Sequence, residues 1–319
     1  MQSGKLESAP HIVAAGARPT EGLVRAFFTY GTFPIIMFGA IAAGCAILAQ
    51  GGAPKFVSPL VSTPAVFAIV VMERVHPHVR KWNVRQGDLT ADICYFFTSS
   101  LTIAVTLAVL GLTLVPAAGW LAKHSPLLVW PNQWPILAQL VLALAVGEFG
   151  NYWAHRLMHE TKLLWRIHAL HHSAPRLYWL NAGRFHPFDM MLTTVLGFGP
   201  LVLLGCGEPA VAMFTLVGTI HSFFQHANIR MRIGPLNYVF SMAELHRWHH
   251  SKTLDEANRN YGGHLILWDL VFRTRFLPPD REPPEEIGIL DPPNFPTKLS
   301  KQLLSPFIFD EFGPVRPEH

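Results

Sequence analysis

The stretch SPLLVWPNQWPILAQLVLALAVGEFGNYWAHRLMH, Ser125 to His159, decides the fold. From Ser125 to Gly147 it carries no charge, and it exceeds the roughly 20 residues needed to cross a hydrocarbon core. The same run continues into His155-Arg-Leu-Met-His159, where positions i and i+4 put both imidazoles on one helical face. A membrane helix whose end carries two co-facing histidines is therefore predicted. Followed backwards, the stripe reaches Asn151 and Glu148, one and two turns nearer the bilayer.

Outward from this helix, Ile93–Ala122 and Gly31–Pro54 are also uncharged, and Phe56–Met72 is uncharged but interrupted by Pro59 and Pro64. Two shorter apolar runs, Met190–Cys206 and Pro209–Phe224, are joined by Gly207-Glu208 and read as a helical hairpin that only partly crosses the bilayer. The composition agrees. Of 319 residues, 50% are hydrophobic and 14% charged, where soluble domains carry about 25% charged residues. The expected fold is an all-α integral membrane protein, with about four transmembrane helices, a short helical hairpin, and a helical cap that carries the histidines. Four segments follow: a polar N-terminal segment 1–30 without a signal peptide, a membrane segment and basic loop 31–90, a central domain 91–276, and a proline-rich tail 277–319.

Lys and Arg favour the cytoplasmic side of membrane segments. With Lys5, Arg18 and Arg25 inside, the outer loops hold only Lys55 and Lys123, and Arg74, Arg80, Lys81, Arg85 and everything basic beyond Tyr152 fall inside. The histidines are thus expected on the cytoplasmic face of a multi-pass protein. The net charge of +4 includes no basic run interleaved with aromatics, which excludes nucleic acid as a partner. The three cysteines, Cys45, Cys94 and Cys206, stand singly and suggest neither a disulfide framework nor a zinc knuckle.

Histidine is the anomaly, with 17 against 21 acidic residues. His168-Ala-Leu-His171-His172 and His246-Arg-Trp-His249-His250 each place i, i+3 and i+4 on one helical stripe. Imidazole is the commonest metal ligand, and histidine clusters without cysteine clusters favour iron, copper, nickel or zinc. With His155 and His159 these boxes offer too many ligands for one ion, so two ions are expected. His221 and His226, at the end of the hairpin, would complete five ligands per ion and leave each one open position. His186 and His264 are candidates for either ligand or support. Glu148, Asn151, Glu160, Arg184, Asp189, Glu244 and Asp269 are candidates to hold the ligands or relay protons, and Glu148 stands apart because a carboxylate at the membrane edge is costly without a partner. His11, His76, His78, His124 and His319 have no partner at ligand spacing.

The order H-x3-H, H-x2-H-H, H-x2-H-H, set at the ends of membrane helices, resembles the sterol desaturase and fatty acid hydroxylase superfamily of membrane di-iron oxygenases. Asn151-Tyr-Trp-Ala-His155-Arg156, Leu164-Trp165-Arg166-Ile-His168, Arg184-Phe-His186-Pro187, Asn260-Tyr261-Gly262-Gly263 and Trp268-Asp269 support the resemblance, which covers residues 91–276. Arg273 stands where the family has a glycine in its Trp-Asp-x-x-Phe-Gly-Thr element. The resemblance implies two iron ions, O2, and two external electrons that drive hydroxylation or desaturation of a lipid such as a fatty acyl chain or sterol. The chain has no nicotinamide, flavin or haem motif, so a ferredoxin or cytochrome with an NAD(P)H reductase is the expected donor. Arg156, Arg166, Arg176, Arg230, Arg232 and Arg247 are the expected basic docking surface. The alternatives are a zinc-dependent membrane hydrolase or a metal-binding membrane protein, and zinc can also replace iron in a purified sample. A zinc hydrolase would leave most of the boxes unexplained, because it normally uses about three protein ligands.

Overall fold

A computed structural model describes residues 22–125, 129–290 and 292–313. The expectations for Lys5, His11, Arg18 and His319 lie outside the described residues. Four helices are long and apolar enough to cross a membrane: α1 (Leu23–Ala49), α2 (Pro54–Val75), α3 (Leu89–His124) and α4 (Ile136–Glu160). Among the described residues no β-strand forms. α1 starts at Leu23 and takes in Arg25, so the polar segment ends earlier than its charges suggested. α2 runs unbroken through Pro59 and Pro64. Each proline removes one backbone donor, a loss that a membrane helix tolerates when neighbours satisfy the freed carbonyl.

Outward-facing side chains on these helices are apolar, with Phe67, Leu101 and Leu112 mostly exposed. That arrangement suits acyl chains as solvent. The hairpin consists of α6 (Pro187–Leu203) and α7 (Glu208–His226). α7 is the central element: Met213, Phe214, Leu216, Ile220 and Phe224 are buried in one core with Phe33 and Met37 of α1 and Val57 and Ile69 of α2. α6 lies against both α3 and α4. Gly150 makes the α4 contact close, since a Cβ there would overlap the Leu196 carbonyl.

The cap comprises α5 (Lys162–His172), α8 (Ala243–His249), α9 (Leu254–Ala257) and α10 (Leu267–Val271) with their loops. Buried charge ties it to the membrane helices. Arg176 pairs with Asp88 at 2.6 Å, Arg184 with Asp92 at 2.6 Å, and Tyr178 donates to Asp92 at 2.7 Å. Glu73 of α2 accepts the backbone N–H of Trp179 at 2.7 Å and of Asn228 at 2.8 Å. Breaking one such buried pair typically costs about 3–5 kcal/mol, because the remaining charge is stranded.

The tail packs over the cap. Ile287 buries against Val79, Trp82 and Leu177, Gly288 N–H donates to the His250 carbonyl, and Phe309 and Phe312 cover Trp165 and Ala169. α11 (Leu299–Leu304) is the one regular helix in this segment among the described residues.

Candidate metal centre

The histidine boxes meet where α4 leaves the membrane and the cap closes over it. His155 and His159 come from α4, His168, His171 and His172 from α5, and His246, His249 and His250 from the end of α8. His226 arrives from the last turn of α7. These nine fall into two groups, one of His155, His159, His168, His172 and His249, the other of His171, His226, His246 and His250, each with its ligand atoms within 4.8 Å of one another. The groups abut, with the His172 and His250 rings stacked at 4.3 Å.

The tautomers follow from the partners. Nδ1 of His155 faces the Tyr261 carbonyl at 2.8 Å, that of His171 the Arg184 carbonyl at 3.2 Å, and that of His249 the Arg259 carbonyl at 2.8 Å. His168 Nδ1 meets the Asp189 carboxylate at 2.8 Å, and His226 Nδ1 meets Asn181 Oδ1 at 3.0 Å. Asn181 spends its amide N–H on the Arg176 carbonyl, so its oxygen is the acceptor. Carbonyls and carboxylates only accept, so Nδ1 carries the proton in these five rings and the Nε2 lone pair points inward.

Inward-facing Nε2 atoms of His155, His168 and His249 are buried without any hydrogen-bond partner. Others face one another, with His226 and His246 at 3.0 Å and His246 and His250 at 3.0 Å. Burial first, and neighbouring imidazoles second, hold His171, His172, His246 and His250 well below the usual imidazole range. Burial pulls His249 down to about 3. Neutral, desolvated imidazoles with converging lone pairs are the donor set of a nitrogen-ligated transition metal, and two groups fit two ions.

Several expected residues stand elsewhere. His221 joins neither group: it is fully buried edge-on to His264, with ring centroids 5.6 Å apart. It sits more than a turn back along α7 from His226, and the two groups hold five and four histidines. His264 is held by Glu148 at 2.8 Å, and His186 caps α6 while its Nε2 faces the Leu303 carbonyl at 3.1 Å. Glu160 pairs with Arg156 at the surface, and Glu244 accepts from Ile233 N–H and Asn237, so neither touches a histidine of the groups. Asp189 does, directly. Arg184 supports His171 through its carbonyl, while its guanidinium is fixed by Asp92. Asp269 acts one step removed: it accepts from Tyr261 and Gly262 N–H and so holds the loop whose carbonyl meets His155. Burial raises the Asp269 carboxyl to about 6, against the lowering pull of its hydrogen bonds. Asn151 keeps a buried Oδ1 without a partner. Arg176 and Arg247, expected at the surface, are 3% and 1% exposed.

Sequence reasoning missed Asn181 and Asn258, the latter 3.1 Å from His159 Nδ1. Asn181 lies in the short 3-10 helix Trp179–Gly183 and Asn258 just past α9, neither with a helical repeat of its own, so only their spatial return marks them. The centre opens into a cavity of about 410 Å³, lined by His155, His168, His171, His226 and His246 and by Phe96, Ile103, Met190 and Phe214 of the membrane helices.

The fold and site thus define a membrane protein with a paired-histidine metal centre at the end of a lipid-facing helical bundle. The chain belongs to the fatty acid hydroxylase family, whose model matches residues 140–274. It is 42% identical to the ornithine lipid hydroxylase of Rhizobium tropici over 236 residues, 72% of this chain and 69% of that one. It is 30% identical to alkylglycerol monooxygenase of Homo sapiens over 148 residues, 46% of this chain but only 32% of the relative. Methylsterol monooxygenase 1 of Rattus norvegicus is 23% identical over 146 residues, 45% of this chain and 48% of that one. No solved structure matches the chain. With hydroxylases and monooxygenases as its relatives, the chain is a membrane oxidoreductase.

Proposed function

We propose that the chain is a di-iron oxygenase that hydroxylates, or desaturates, an unactivated C–H bond of a lipid. The observation that carries this reading is the convergence of nine histidines at the closed end of an apolar cavity framed by membrane helices. The relatives named above act on an ornithine lipid, an alkylglycerol and a methylsterol, which share a long apolar body. Hydroxylation balances as RH + O2 + 2 e⁻ + 2 H⁺ → ROH + H2O, and desaturation forms C=C with two waters. Two irons, if held by the two groups, would supply reduction of dioxygen and hydrogen abstraction.

The chain's own residues bind and orient. Phe96, Ile103, Met190 and Phe214 offer an apolar wall along which a chain slides from the bilayer without crossing water. Asp189, Asn181, Asn258 and the Tyr261, Arg184 and Arg259 carbonyls fix the imidazoles before any ligand arrives, so no ordering is needed at the moment of reaction. The tail, through Gly288 and Phe309, excludes water from the cap side. The basic-residue asymmetry supports a cytoplasmic position for this cap. Electrons then come from an acidic ferredoxin or small cytochrome with its NAD(P)H reductase, docking near the surface residues Arg156, Arg166, Arg230 and Arg232.

The test is reconstitution of the full chain in lipid with O2 and NADPH. Oxidised lipid should form only when a carrier and reductase are added, with about two irons per chain. Zinc-loaded protein that hydrolyses lipid without oxygen would overturn the reading.

A further inference from the structure

The seam between α4 and α6 carries a second cavity, on the face of α4 turned away from the histidines. It is an apolar groove of about 690 Å³, lined by Ala145, Phe149 and Trp153 of α4, Leu196 and Pro200 of α6, and Trp268 of α10. It shares no lining residue with the cavity that reaches the histidine groups, which takes Asn151, His155 and Met158 from the other side of α4. From Ala145 to Trp153 the groove follows α4 for about 12 Å, at 1.5 Å per residue. Its solvent is the bilayer.

Towards the cap the groove becomes aromatic and then cationic. Phe149 lies against Trp268 with ring centroids 4.7 Å apart, and Phe272 lies against Trp153 at 5.1 Å. Tryptophans at the end of a membrane helix sit at the level of the lipid headgroups. Just beyond, the Arg156 guanidinium stands 5.4 Å from the centre of the Trp153 ring. It gives Nε to Glu160 and one Nη to Tyr152, and the other Nη has no partner among the described residues. Arg273 follows Phe272 directly, and its exposed guanidinium has neither ion pair nor hydrogen bond among the described residues. Its backbone is held at φ +60°. A non-glycine residue kept in that region is a pointer to function.

The geometry points to a second lipid site: the groove takes one acyl chain of an anionic phospholipid, whose phosphate is received by Arg156 and Arg273. This lipid is a bound partner and not the substrate, so the site does not depend on which reaction the histidine groups carry out. Glu160 offsets part of the Arg156 charge, which leaves Arg273 the larger share of headgroup selection. Occupancy bears on the centre through α10. Trp268 lines the groove, and the adjacent Asp269 holds the Tyr261 and Gly262 N–H groups at 2.8 Å, in the loop whose carbonyl meets His155. A lipid packed on Trp268 braces that support.

The experiment titrates the full chain, stripped of lipid in detergent, with phosphatidylglycerol or phosphatidylcholine of identical acyl chains. Native mass spectrometry counts bound lipid, and thermal melting follows stability. Each arginine beside an anionic headgroup is worth about fivefold in binding, so wild type should hold one phosphatidylglycerol about tenfold more tightly than phosphatidylcholine. R273G should lower that preference about fivefold and R156Q by less. A145F, which fills the groove, should lose tight binding of both lipids and the rise in melting temperature that phosphatidylglycerol gives wild type. T219F, which fills the histidine cavity instead, should keep the preference. Equal affinity of wild type for the two lipids, an unchanged preference in R273G, or a preference lost in T219F but kept in A145F overturns the proposal. If A145F does not fold, R273G against T219F carries the comparison.

Discussion

Nε2 of His159 and Nε2 of His172 face each other at 3.1 Å in a pocket closed to water. His159 is turned by Asn258 at its other nitrogen, and His172 is turned by the stacking of its ring on His250. At this distance an N–H of one ring can donate to the other, and with both lone pairs turned inward the pair would coordinate a cation between them. This pair makes metal removal the most direct probe of the centre.

Alanine at any of His155, His159, His168, His171, His172, His226, His246, His249 or His250 should lower bound iron from about two per chain and abolish oxidation. Alanine at His186, which holds the tail instead of a ligand position, should leave iron content near wild type. Elemental analysis of purified variants checks both, and wild-type iron in two of the nine would count against the grouping.

Asp189→Asn removes the negative charge behind His168 but keeps its shape. Losing such a partner typically costs about 10–100-fold in metal affinity or activity. The melting temperature of the iron-free chain should change little. Competition with a chelator measures the first effect and calorimetry the second.

The buried histidines make the iron-free chain acid-sensitive. Their folded pKa values are depressed, with His249 at about 3, against about 6.5 when unfolded. Below pH 6.5 the unfolded chain takes up protons that the folded chain refuses, so stability is fully present above about pH 7 and falls as pH drops. Each such histidine removes about 1.4 kcal/mol per pH unit below 6.5. Thermal melts of the chelated protein at pH 8, 7, 6 and 5 should be flat and then fall steeply. A melting temperature independent of pH from 8 to 5 would contradict the burial of these rings.

Arg273 adopts φ +60°, in the left-handed region, at the position where the family has glycine. The turn itself is intact: Thr274 donates to Asp269 at 2.7 Å, and its carbonyl accepts Asn260 N–H at 3.0 Å. A non-glycine residue in this region costs roughly 1 kcal/mol. Arg273→Gly should therefore stabilise the chain by about 0.5–1 kcal/mol, and Arg273→Val should destabilise it, as read from chemical denaturation in detergent.

The membrane helices and the histidine boxes were legible because each is local. A run of apolar residues and a repeat at i, i+3 and i+4 are periodic signals carried by consecutive residues, and they predicted α3, α4 and eight of the nine clustered histidines. His226 was legible by its place at the end of an apolar run. His221 carried the same signal but faces the other way along α7, and helical phase relative to three neighbouring helices is decided by packing, not by spacing. The supports divide in the same manner. Asp189 meets His168, whereas Glu160 and Glu244, equally near the boxes in the chain, turn to Arg156 and Asn237. Asn181, Asn258 and the Tyr261 carbonyl became partners only when loops returned over the cap. Sequence alone thus determined which side chains could bind metal. The tertiary structure decided how they divide and which nitrogen each presents, because a buried imidazole is oriented by the nearest acceptor in space.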